Sequence, residues 1–266
     1  MNRFDTLMAL VNYLIEERDM ADRRTELTGS EGLSEQGLWT AFRALANTRE
    51  AIPAAPAFLA LQDDLLKDMI AEKGITPLSA TRTVPLHPRM RLWRGDICTL
   101  QVDAIVNAAN SQMLGCWQPG HLCIDNAIHT FAGVQLRLEC ARIMREQGHD
   151  EPTGAAKVTP AFNLPARFIV HTVGPIANGR PTDAHRRELR SSYTSCLNAA
   201  LERNLMSIAF CCISTGVFGF PGDEAAGIAV TCVRDWLTEH ADAALDVVFN
   251  VFTTEDETRY RRLLGL

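Results

Sequence analysis

Beyond residue 89 the chain alternates short apolar runs with stretches of helical periodicity, and this alternation limits its fold more than any other feature. The runs at 90–93, 104–107, 156–159, 168–173, 207–213 and 247–252 read as strands. The stretches 123–147, 184–204, 223–239 and 255–264 read as helices. Strands with crossover helices covering both faces predict an α/β fold, a three-layer α/β/α sandwich around a mixed central sheet.

Before residue 85 the pattern differs. Apolar positions recur at helical spacing: Phe4, Leu7, Met8, Val11, Leu14 and Ile15, then Leu38, Phe42 and Leu45, then Phe58, Leu61, Leu65 and Met69. Three helices are expected, joined at 28–37 and 51–57 where Gly, Pro and Ala cluster. The chain therefore divides into a helical N-terminal extension, 1–85, and an α/β domain, 86–266.

Charge and cysteine content narrow the function. A net charge of −6 offers a polyphosphate backbone no general attraction, which argues against long nucleic acid but leaves a single nucleotide open. No apolar stretch approaches the roughly 20 residues of a membrane helix. The first residues, broken by Asp5, Asn12 and Glu16, lack a secretory pattern, so a cytoplasmic protein is expected. Eight cysteines in a chain able to bury its own core are not a disulfide framework. Cys98, Cys140, Cys196, Cys211, Cys212 and Cys232 read as small buried hydrophobes.

Ligands of an open α/β sheet settle where strands end and helices begin. Three such loops stand out. In Ser214-Thr215-Gly216-Val217-Phe218-Gly219, the glycines would let the backbone approach a diphosphate, and Ser214 and Thr215 add donors, although an ordinary glycine turn fits as well. After the strand at 104–107, Asn107 and Asn110 could position a ribose hydroxyl or a water, or simply satisfy a turn. Asp96 could accept from an adenine amino group or be solvated. In the third loop Cys116, His121 and Cys123 fall within eight residues, a spacing that can turn two thiolates and an imidazole onto one zinc. Only Asp125 lies near enough in sequence to be a fourth ligand, so an open, catalytic kind of site is expected rather than a closed structural one. Asp125 and His129 share a helix face. Asp125 could cap the helix, act as general base or orient a ligand.

Taken in order, GDICTLQVDAIVNAAN (95–110), CIDNAIHTFAG (123–133), TGAAKVTPAFNLPARFIVHTVGP (153–175) and STGVFGFP (214–221) resemble the macrodomain family over most of 90–264. The resemblance does not reach the N-terminal extension. It implies ADP-ribose binding: Asp96 and the Ile97 backbone at adenine, the 214–220 loop around the diphosphate, Asn110 and Asp125 near the distal ribose, and Phe252 stacked on adenine. Where metal-independent hydrolytic members carry a run of glycines, this chain reads GCWQPGHLCIDN, which looks like the zinc-dependent branch, with Cys116, His121 and Cys123 on the metal.

That likeness implies hydrolysis of the bond joining mono-ADP-ribose to a modified protein side chain. Asn110 would hold the ribose, Asp125 would serve as base or support, and zinc would activate a water or polarise a ribose hydroxyl. Two thiolates leave the metal less electrophilic than three imidazoles would, which favours an orienting role. The branch is associated with sirtuin-type transferases acting on lipoyl-carrier proteins, which suggests a protein partner of that kind. Two rival expectations remain: a non-catalytic reader of ADP-ribosylated proteins whose zinc braces a loop, and nucleophilic catalysis by Cys116 or Cys123 with His121 or His129.

Overall fold

In the computed structural model, which describes residues 1–19 and 34–266, the apolar runs become strands of one seven-stranded sheet. These are β2 (Arg82–Val84), β3 (His87–Arg94), β5 (Ala104–Ala109), β6 (Ala156–Pro160), β7 (Phe168–Val173), β8 (Ser207–Phe210) and β9 (Asp246–Val251). Two-residue strands β1 (Thr76–Pro77) and β4 (Leu100–Gln101) pair separately. The spatial order is β2-β3-β9-β8-β5-β7-β6, with the five inner strands parallel and the two edges antiparallel, so the sheet is mixed as expected. All four residues of β8 are buried, the consequence of helices on both faces.

The helices that follow the strands are α4 (Ile124–Ala132), α5 (Val134–Gln147), α6 (Asp183–Glu202), α7 (Gly222–Glu239) and α8 (Thr254–Leu264). The single helix expected over 123–147 is in fact two, broken at Gly133. There φ is +98°, and a Cβ would meet the side chains of Gln62, Gln135 and Asn163. Gln62 Oε1 accepts from the Val134 amide at 3.0 Å and caps the second helix from outside. The strand expected over 207–213 stops at Phe210, and that expected over 104–107 runs on to Ala109.

Upstream lie α1 (Arg3–Glu16), α2 (Glu35–Asn47) and α3 (Pro56–Lys73). Of the connection expected at 28–37, residues 28–33 lie outside those described. From Glu35 on it is helix, with the Ser34 hydroxyl accepting from Gly37 N at 3.1 Å. Leu7, Leu10, Val11, Leu14 and Ile15 of α1 are buried, while Phe4 is half-buried. At roughly 1.5–3 kcal/mol for each such side chain, α1 is bound firmly to α2 and α3. The two latter helices pack on α4, and one hydrophobic core runs from Leu7 and Phe42 through to Ile105 and Ile128. The extension thus covers the helix that carries Asp125. Among the described residues no helix is long and apolar enough to cross a membrane.

Candidate active site

The parallel strands β5, β7, β8 and β9 end at one edge, and a cleft of about 680 Å³ opens there. That is room for a small-molecule ligand. Its walls come from the loop after β5, Gly174 after β7, the 211–218 segment after β8, and Asn250, Phe252, Thr253 and Asp256 around the end of β9.

At one end of the cleft the loop between β5 and α4 folds back on itself. Cys116 Sγ lies 3.6 Å from His121 Nδ1, and the two sulfurs of Cys116 and Cys123 and a ring nitrogen of His121 lie within 4.8 Å of one another. All three residues are half-buried. Asp125 is not part of this cluster, so the idea of it as a fourth ligand falls away. Cys123 is also the N-cap of α4, its sulfur accepting from Asn126 N at 3.4 Å. Burial, reinforced by the neighbouring Cys116 and Asp125, raises its thiol pKa.

Asp125, in the first turn of α4, is buried at the cleft wall. Its Oδ1 accepts from Asn107 Nδ2 at 2.7 Å, and Oδ2 stands 3.5 Å from Asn110 Nδ2. Burial pushes its carboxyl up to about 6, against the opposing pull of the Asn107 hydrogen bond and Arg137. His129 Nε2 lies 3.6 Å from Oδ1, but burial, with His171 and Arg137 nearby, holds the imidazole well below its usual pKa. That contact is therefore not an ion pair. Behind it, His171 accepts from Asn107 at Nδ1 (3.1 Å) and sits 2.9 Å from the Thr159 hydroxyl at Nε2, a neutral ring with burial lowering its pKa to about 3.

Asn107 does not end its strand. It is wholly buried mid-β5 and does not line the cleft, its amide serving Asp125 and His171 instead. Asn110 does line the cleft, yet its side chain also organises the loop, donating to Gly115 O at 3.0 Å and accepting from Gln112 N at 3.1 Å. Gly115 has φ +79°, and a Cβ there would stand 2.8 Å from the His129 ring. Gly115→Ala is expected to cost roughly 1–3 kcal/mol through that strain and clash, read as a lowered thermal midpoint. An unchanged midpoint would show that the loop takes up the methyl freely.

The glycine loop forms the opposite wall. Ser214 has φ +65°, and its buried hydroxyl has no partner among the described residues. The Thr215 hydroxyl is committed to Cys212 O at 2.9 Å and is not a free donor. Among the described residues, the amides of Gly216, Val217 and Phe218 donate to no protein acceptor, whereas those of Gly219 and Phe220 close turns onto Gly216 O and Ser214 O at 2.9 Å. Three successive unspent N–H groups ahead of α7 suit an anionic oxygen. Phe252 projects at the rim, 74% exposed. Asp96, Ile97 and Gly219 are not among the lining residues. Asp96 caps a short 3-10 turn through Cys98 N (3.0 Å) and pairs with Lys73 at 2.8 Å. Cys211 and Cys212, expected as plain core residues, line the cleft, and Cys212 is only half-buried.

Sequence reading passed over Arg43, Asn47 and Arg137. The buried Arg137 donates to Leu114 O at 2.6 Å, to Arg49 O at 2.6 Å and to Asn47 O at 2.7 Å, and lies 4.1 Å over the Trp117 ring. Its one signal was a charge on an otherwise apolar helix face.

Comparison with known proteins places this geometry. The Macro domain family profile matches residues 106–229. The chain is similar to a protein-ADP-ribose hydrolase of Treponema medium, 56% identical over 84% of this chain and 86% of that one. With the protein-ADP-ribose hydrolase of Staphylococcus aureus (strain MRSA252) it shares 47% identity over 95% of this chain and 94% of the other. Among solved structures, the Trypanosoma brucei macrodomain in complex with ADP-ribose aligns at TM-score 0.66 and 32% identity, over 84% of this chain and 95% of that one. An Oceanobacillus iheyensis macrodomain with ADP aligns at TM-score 0.61 and 38% identity, over 66% and 90%.

Proposed function

This chain belongs to the macrodomain family, and from that premise we propose that it is a zinc-dependent hydrolase releasing mono-ADP-ribose from modified protein side chains. The observation that carries the reading is the meeting, in one cleft, of unspent loop amides, a buried carboxylate and a Cys/His/Cys cluster. Relatives named for this hydrolysis support the reaction class.

The donor set suits zinc: two sulfurs and one imidazole nitrogen, close enough to share one ion, on a loop whose three-residue cluster leaves a coordination position for a ligand. Cys116, His121 and Cys123 would hold it. Bound there, zinc supplies polarisation of an oxygen on the distal ribose or of a water beside it.

The remaining work falls to the chain's own groups. The Gly216, Val217 and Phe218 amides bind the diphosphate, with the unpartnered Ser214 hydroxyl as a further donor, and Phe252 covers the adenine face. The distal ribose then lies toward Asn110 and Asp125. Hydrolysis breaks the bond between the anomeric carbon and the side-chain heteroatom. Water oxygen adds to the carbon, Asp125 takes the proton water gives up, and that proton passes on to the departing heteroatom, which leaves as the neutral side chain. Asn107 fixes the carboxylate by its 2.7 Å hydrogen bond, and Asn110 keeps the loop turned toward it. The modified target is proposed to be a lipoyl-carrier protein, on kinship alone.

The competing reading is a module that binds ADP-ribosylated protein without cutting it. Incubating the full chain with mono-ADP-ribosylated proteins carrying different side-chain linkages, and measuring free ADP-ribose, separates the two. A hydrolase releases ADP-ribose from at least one linkage with multiple turnovers. Tight binding with no release from any linkage would leave the reader standing.

A further inference from the structure

We propose that the N-terminal extension is a working part of the site: Arg43 and Asn47 of α2 are positioning residues that hold the loop 111–122 in its metal-binding shape. The proposal rests on the metal reading of that loop given above.

The loop's own hydrogen bonds are few. They join Met113 N to Asn110 O, Gln112 N to Asn110 Oδ1, Asn110 Nδ2 to Gly115 O and His121 N to Gln118 O, at 3.0–3.2 Å. Two glycines at positive φ, Gly115 and Gly120, leave the unfolded loop many alternatives. The first part of the loop is tied from elsewhere, Ser111 O to Glu151 N at 2.8 Å and Leu114 O to Arg137 at 2.6 Å, and the restraint on its second part comes from α2. Arg43 Nη2 donates to His121 O at 2.9 Å, and the same guanidinium makes two bonds to Asn126 Oδ1, at 2.7 and 3.2 Å. Asn47 Oδ1 accepts from Gly120 N at 3.0 Å and from Asn126 Nδ2 at 2.9 Å. Asn126 in turn donates to Gln118 O at 3.1 Å. The main chain is therefore held at Gln118, Gly120 and His121, immediately before and at the imidazole donor, while Asn126 lies one helical turn into the helix that Cys123 caps.

The restraint is reciprocal. Asn47 is buried, and its Nδ2 is committed to Thr130 Oγ1 at 3.0 Å. Unfolding the loop would strip Gly120 N from Oδ1 and His121 O from Arg43, leaving both side chains with only their bonds to Asn126 on that side. The Arg43 fork is equally specific, because three bonds from one planar group fix His121 O relative to Asn126, a geometry an ammonium cannot reproduce.

Merely attaching the extension to the domain would need none of this polarity, since the apolar contacts already do so. The test is made on the full-length chain as wild type, Arg43→Ala, Arg43→Lys and Asn47→Ala. Zinc affinity is measured by competition with a chromophoric chelator, and amide hydrogen exchange of residues 116–123 is measured in metal-free protein. The thermal midpoint and ADP binding check the fold.

Arg43→Ala is expected to weaken zinc binding by about 10- to 100-fold, the range for groups that orient metal ligands, and to speed exchange across 116–123 while ADP still binds. Arg43→Lys should fall between it and wild type. Wild-type zinc affinity and wild-type exchange in both alanine variants would overturn the proposal. If Asn47→Ala does not fold, the two Arg43 variants decide. A wild-type chain that takes up no zinc would defeat the metal reading, and the exchange measurement alone would then uphold or overturn the hold of α2 on the loop.

Discussion

Asp125→Asn is expected to slow ADP-ribose release by about 10²- to 10⁴-fold, the usual worth of a positioned general base, while ADP-ribose affinity changes little. The substitution is nearly isosteric. Its carbonyl oxygen can still accept the 2.7 Å bond from Asn107, so the buried network keeps one of its anchors. What the amide cannot do is take up a proton. Single-turnover release from a mono-ADP-ribosylated protein gives the rate, and titration calorimetry with ADP-ribose gives the affinity. Release within tenfold of wild type would move the base elsewhere in the cleft. A large loss of affinity as well would assign Asp125 to holding the ribose.

Removal of zinc by a chelator is expected to cut release by about 10²-fold or more, with activity returning when zinc is restored, because polarising an oxygen at the reacting centre contributes several kcal/mol. Cys123→Ser sharpens the test. Serine is among the preferred N-caps, so α4 keeps its first-turn acceptor and the metal-free fold should melt where the wild type does in chelator. A hydroxyl is nonetheless a poor substitute for thiolate toward zinc. Metal analysis of the purified variant should therefore show zinc lost without loss of fold. Full zinc and full turnover in Cys123→Ser would remove Cys123 from the ligand set. Release that survives chelation but stops on alkylation would favour a thiol nucleophile.

The central fold was readable because inner parallel strands are buried on both faces, so runs such as Phe168–Val173 stand out whole. Edges and breaks were not. Arg82–Val84 is an edge strand of three residues, two of them exposed, with no periodicity to detect. The break at Gly133 is set by side chains of Gln62 and Asn163, each far away in sequence, while the apolar pattern runs on through it. The same division holds at the cleft. Cys116, His121 and Cys123 declared themselves because their spacing is local. Arg43 and Asn47 meet the loop across more than seventy residues, and nothing near them in the chain marks that meeting. Asn107 misled because a polar residue closing an apolar run reads as a turn. Only the paired register, with Asn107 opposite His171, shows it inside the sheet.

Every bond that Arg43, Asn47, Asn126 and Arg137 send into the loop ends on main chain: His121 O, Gly120 N, Gln118 O and Leu114 O. Peptide groups are common to all residues, so these hydrogen bonds are blind to the side chains they secure; the Trp117 ring under Arg137 is a contact of a different kind. Leu122 lies between two of the donor residues, is 92% exposed and takes part in none of these bonds. Frame and display are therefore separable. A substitution at position 122 is expected to change the surface at the mouth of the cleft and leave the clamp as it is.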